Sequence, residues 1–128
     1  MVSVQMFDFE ARIFWCDGGC HNNGGSLPRA YGSYSDGKNT WHHQFPKLET
    51  NNEAEYATLI RLLEQIPDGS SPEIRTDSML MVGHLQKDWK VKSRNLVEFY
   101  LLAKKHLERT GATLTWVPRK RIVEVLGH

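Results

Sequence analysis

Cysteine is scarce in this 128-residue chain, with Cys16 and Cys20 its only two. Two thiols four residues apart do not make a disulfide framework. Cys20-His21 beside Cys16 hints at zinc, but no second ligand pair follows at a suitable spacing. The chain also lacks an apolar stretch long enough to span a bilayer, and it shows no signal-peptide pattern. It therefore reads as a cytoplasmic protein with no membrane association and no evident obligate protein partner. Repeats and low-complexity linkers are absent, so one domain over residues 1–128 is expected, large enough to bury its own core. Residues 1–8 read as a flexible extension or an early part of the first strand.

Charge of one sign is lacking only on average, since the formal net charge is +1. Residues 84–121 hold ten Lys or Arg against three acids, a surplus of seven, and the remainder is net −6. A basic half beside an acidic remainder suits a phosphodiester ligand. An ordinary solvated face accounts for Lys104, Lys105 and Arg109 equally well. It accounts less well for the run from Lys87 to Lys92, where Trp89 interrupts the charges.

What is present is organised around residues 12–19. Ile13 to Cys16 form an unbroken apolar run, which predicts a central strand over 9–16. The run stops at Asp17, and Gly18-Gly19 then allow a tight turn or a close approach to a ligand. An Asp at the exit of a buried strand is costly unless neutralised; taken alone it reads as a turn residue. Two further acids alter that balance. Thr50 and Glu53 form a capping box that starts a helix running to Ile66. Glu55 then shares a face with Leu59, Leu62 or Leu63, and Ile66, so it belongs to the side that packs on the sheet. Asp77 follows a short strand, 73–76, and precedes a helical pattern from Met79 to Leu85. It reads either as the cap of that helix or as a third carboxylate at the same sheet edge. Three hard oxygen ligands converging there suit Mg²⁺ or Mn²⁺.

The rest of the chain supplies strands at 30–35 and 40–45 joined through Asp36-Gly37-Lys38-Asn39. A long irregular loop covers 18–29. A helix over Asn95–Arg109, a strand over Ala112–Val117 and a brief helix over 119–126 complete the order, which makes an α/β layered fold.

The set Asp-Gly-Gly (17–19), Thr-Asn-Asn-x-x-Glu (50–55), Thr-Asp-Ser (76–78), Trp-Lys-Val-Lys (89–92) and Trp-Val-Pro-Arg (116–119) resembles ribonuclease H type 1. The likeness is to its compact bacterial and archaeal members and spans about residues 10–121. The resemblance implies the ribonuclease H-like fold, a five-stranded mixed sheet of order 3-2-1-4-5 flanked by helices. It also implies hydrolysis of the RNA strand of an RNA–DNA hybrid with two Mg²⁺ or Mn²⁺ ions, leaving 5′-phosphate and 3′-hydroxyl ends. Asp17 would bridge both ions, with Glu55 and Asp77 on either side. Gly18, Gly19, Asn23, Asn51, Asn52, Ser78, Trp89, Lys90 and Lys92 would face the substrate.

The C-terminus departs from the family. The usual fourth Asp aligns with Leu126 and a preceding Asn with Ile122. His128 and Glu124 are the nearby substitutes, with His128 preferred; the alternative is that three carboxylates suffice. Two other functions compete with the endoribonuclease: a hybrid-binding module that does not cut, and a DNA-directed nuclease on the same fold. The Asn51-Asn52-x-x-Glu55 set argues against the latter.

Overall fold

The computed structural model describes residues 7–21 and 29–127, so Asn23 and His128 lie outside the described residues. The chain runs β1 (Ile13–His21), β2 (Arg29–Ser35), β3 (Thr40–Phe45), α1 (Asn51–Gln65), β4 (Glu73–Thr76), α2 (Met79–Gln86), α3 (Val97–Thr110), β5 (Thr113–Trp116) and α4 (Arg119–Leu126). A 3₁₀ turn, Arg94–Leu96, leads into α3 where the sequence predicted continuous helix from Asn95. The strands form one sheet of order β3-β2-β1-β4-β5. β1 is antiparallel to β2 and parallel to β4, as a hairpin followed by crossover helices requires.

β1 departs most from the sequence expectation. It starts at Ile13 and continues through Asp17, Gly18 and Gly19 to His21. The glycines do not turn the chain, and Gly18 admits a helix. A Cβ on Gly18 would lie 2.6 Å from the Ala54 carbonyl carbon, and one on Gly32 of β2 would lie 1.7 Å from Thr58 Oγ1. Gly18 and Gly32 are cross-strand partners. Together they form a bare track on which α1 sits close to the sheet. The helix seals that face with Tyr56, Leu59, Leu62 and Leu63, all 0 % exposed. Each leucine contributes roughly 1.5–3 kcal/mol of burial.

α1 itself begins as its sequence dictates. Thr50 Oγ1 accepts from Glu53 N, and the Glu53 carboxylate accepts from Thr50 N, both at 3.1 Å. Its far end is closed by a distant residue. Arg109 of α3 donates to the carbonyls of Leu63 (2.8 Å) and Ile66 (2.9 Å) and pairs with Asp68. Arg109 therefore caps a helix rather than lying on an open charged face. At the N-terminal side, Phe7 stacks on Phe14 with ring centres 5.2 Å apart, and Asp8 N donates to Asp36 Oδ2 at 3.0 Å. Phe7 and Asp8 thus contact β1 and the turn after β2.

Candidate active site

The parallel pairing of β1 with β4 ends at Trp15 and Arg75. Beyond it the chain of β4 leaves the sheet through Asp77 while β1 continues. That divergence opens an edge on which three acids meet. Asp17, Glu55 and Asp77 each present a carboxylate oxygen within 4.8 Å of the others. Asp17 arrives from the strand on the face opposite Gly18, since neighbouring side chains alternate. Glu55 arrives from the first turns of α1, and its Oε2 accepts from Gly18 N at 3.2 Å.

Asp77 is free of the capping role that competed for it. Ser78 is the N-cap of α2, its hydroxyl accepting from Met81 N at 3.3 Å. Thr76 Oγ1 takes Ser78 N, and Trp116 Nε1 donates to the Asp77 carbonyl at 3.2 Å. The backbone is thus pinned on both sides of Asp77.

Without a bound cation Asp17 and Glu55 resist ionisation. Burial, then the Asp77 charge, pushes Asp17 up to about 7, with Arg119 opposing. Burial, then Asp17 and Asp77, pushes Glu55 up to about 9. Such mutual repulsion marks a place built for positive charge. The donor set is all carboxylate and close-set, which fits hard divalent cations.

A cleft of about 360 Å³ is lined by Glu55 and Asp77 together with Gly18, Gly19, Tyr31, Asn51 and Arg119. The Asn51 side-chain oxygen takes Cys20 N at 2.6 Å and ties the start of α1 to β1. A second cleft, about 550 Å³, brings together Asn52, Trp89, Lys90 and Lys92 with His84 behind them. Asn51 and Asn52 are consecutive, so the two clefts flank the start of α1. Trp89 is 44 % exposed, yet its ring also covers Gly83, where a Cβ would lie 1.9 Å from the indole. It combines packing with an open face. A wider groove of about 740 Å³ between Phe45, Ile60 and Leu102 contains none of these residues.

The C-terminal expectations are redistributed. Glu124 is exposed on α4, 3.6 Å from Arg121, and is not among the acids that converge within 4.8 Å of one another. Ile122 and Leu126 are buried apolar residues where the resemblance would have Asn and Asp. Two residues of the cleft escaped the sequence reading as site members, Tyr31 and Arg119. Arg119 Nη1 lies 3.2 Å from Asp77 Oδ2 and 3.7 Å from Asp17 Oδ2. Its signals in the sequence were the Trp-Val-Pro-Arg match at 116–119 and its place directly beyond β5.

The RNase H family model matches residues 10–119. Among solved structures, the chain is similar to LC11-RNase H1 in complex with an RNA/DNA hybrid, at 27 % identity and TM-score 0.69. That match covers 88 % of this chain and 89 % of the other. LC11-RNase H1 isolated from compost, in a separate structure, matches at 26 % identity and TM-score 0.68, covering 88 % of each. RNase H1 of the halophilic archaeon Halobacterium salinarum NRC-1 shares the fold at 24 % identity and TM-score 0.69, covering 90 % of both chains.

Proposed function

The chain belongs to the RNase H family, and from that premise we propose that it is an endoribonuclease hydrolysing the RNA strand of RNA–DNA hybrids with two divalent cations. The observation that carries this reading is the convergence of Asp17, Glu55 and Asp77 within 4.8 Å, at the edge where β1 outruns β4. The hybrid seen with LC11-RNase H1 supports the same substrate here.

Asp17, Glu55 and Asp77 would hold Mg²⁺ or Mn²⁺, with Asp17 central. When bound, such ions activate the attacking water and stabilise the departing oxygen of an in-line displacement, giving 5′-phosphate and 3′-hydroxyl ends. The residues of the chain do the positioning. Gly18 fixes the Glu55 carboxylate through its N–H, and Glu55 lies beside Asn51 in the same cleft, where a ribose 2′-hydroxyl would be read. The start of α1 offers amides and a favourable dipole to the sugar–phosphate backbone. Asn52, Trp89, Lys90 and Lys92 line the neighbouring cleft, which suits the DNA strand: lysines for phosphates and an indole face for a sugar or base.

The test is a cleavage assay offering hybrid, duplex RNA, single-stranded RNA and duplex DNA, each with Mg²⁺, Mn²⁺ or EDTA. Internal cutting of the RNA in the hybrid, dependent on the cation, is expected. One observation favours a hybrid-binding module that does not cut, namely the apolar Leu126 at the fourth-carboxylate position. Tight binding of hybrid with no cleavage under either cation would favour that second reading.

A further inference from the structure

Arg119 opens α4 directly after Pro118 and reaches back across the mouth of the cleft. One guanidinium nitrogen, Nη1, is shared by Asp77 at 3.2 Å and Asp17 at 3.7 Å. The two acids are nearly enclosed, with side chains 11 % and 2 % exposed, whereas that of Arg119 is 61 % exposed. The cation therefore enters from solvent and can withdraw into it without disturbing the core. The inward face of α4 is anchored separately by Ile122 and Leu126.

Three acids in so small a space are strained without positive charge. We propose that Arg119 is the resident counter-ion of this cluster: it fills the cation position between Asp17 and Asp77 in the metal-free protein and withdraws when a divalent ion binds. The inference rests on the reading of the cluster as a divalent-cation site. Two consequences follow from like-charge repulsion. Arg119 weakens the apparent affinity for the first divalent ion, because its guanidinium must be displaced. Once displaced, it stands free at the lip of the cleft, where an anionic backbone would arrive.

The experiment is calorimetric titration of Mn²⁺ alone, without nucleic acid, into the whole protein and its Arg119→Gln, Arg119→Lys and Asp17→Asn variants. Melting in EDTA and in saturating Mn²⁺ accompanies it. Arg119→Gln is expected to bind Mn²⁺ about tenfold tighter, since a competing charge within 4 Å is gone. It should melt lower than the parent in EDTA and equally in saturating Mn²⁺, while Arg119→Lys retains the parent's affinity. Mn²⁺ affinity in Arg119→Gln equal to or weaker than the parent's would overturn the counter-ion role while leaving the metal site standing. A parent protein that binds no Mn²⁺, or an Asp17→Asn variant that binds it unchanged, would overturn the metal-site reading and this inference with it.

Discussion

Gly18 donates its backbone N–H to Glu55 Oε2 at 3.2 Å, across 37 residues of chain. The same glycine lies against α1 so closely that a Cβ would meet the Ala54 carbonyl carbon at 2.6 Å. One residue therefore sets both the distance between strand and helix and the aim of a carboxylate. Where β1 outruns β4, the Gly18 N–H has no strand partner on that side, and Glu55 supplies one. The cluster is a product of the packing rather than an addition to it.

Gly18→Ala should accordingly damage structure and chemistry together. The added methyl meets backbone, which cannot swing aside, so α1 must move. A destabilisation of about 1–3 kcal/mol is expected in urea denaturation, with hybrid cleavage reduced by a larger factor than stability alone explains. Full activity in a variant with normal stability would mean that α1 has slack at this contact.

The metal-free protein should lose stability as pH rises. Asp17 and Glu55 hold their protons in the fold up to about 7 and about 9, against 3.8 and 4.5 when unperturbed. Between those limits the native state binds more protons than the unfolded chain, so stability falls with increasing pH. Melting temperatures in EDTA should decline from about pH 4 to pH 9, Asp17→Asn should flatten the decline, and divalent cations should offset it. A melting temperature that rises across this range would contradict the repulsive cluster.

Much of this arrangement is written locally in the chain, and the remainder is not. Thr50 and Glu53 announce the start of α1, and the leucine spacing after Glu55 announces its buried face; both are short-range patterns. Gly18-Gly19 reads as a tight turn or a close approach to a ligand, and only Gly32 across the ladder shows that Gly18 makes room for a helix. Asp77 reads either as the cap of α2 or as a third carboxylate, and the Ser78 bond to Met81 shows that its neighbour takes the capping role. Arg119 and Arg109 act on partners 42 and 46 residues away. Nothing near them in the sequence records those contacts, so a tally of basic residues counts both as surface charge.

Gly83→Ala should separate substrate contact from cation binding. The new methyl occupies the space of the Trp89 ring, so the indole and its neighbours Lys90 and Lys92 must shift. KM for hybrid should rise severalfold with Mn²⁺ affinity unchanged. An unchanged KM would show that Trp89 serves packing alone.

Arg109→Ala should do the reverse. It removes charge-assisted hydrogen bonds to two carbonyls at the end of α1, far from the carboxylates. A loss of roughly 1–3 kcal/mol in stability is expected, with kcat for hybrid cleavage near that of the parent. A large drop in kcat with stability intact would place Arg109 in substrate binding instead.

The most direct test of the central claim compares parent and Asp17→Asn on a hybrid labelled in its RNA strand, with end-group analysis of the products. The parent should cut internally in Mg²⁺ or Mn²⁺, leave 5′-phosphates, and do nothing in EDTA. Asp17→Asn should bind the hybrid and leave it whole, because the exchange removes a ligand charge while keeping the shape. Cleavage by Asp17→Asn at the parent's rate, or cleavage by the parent in EDTA, would contradict the account.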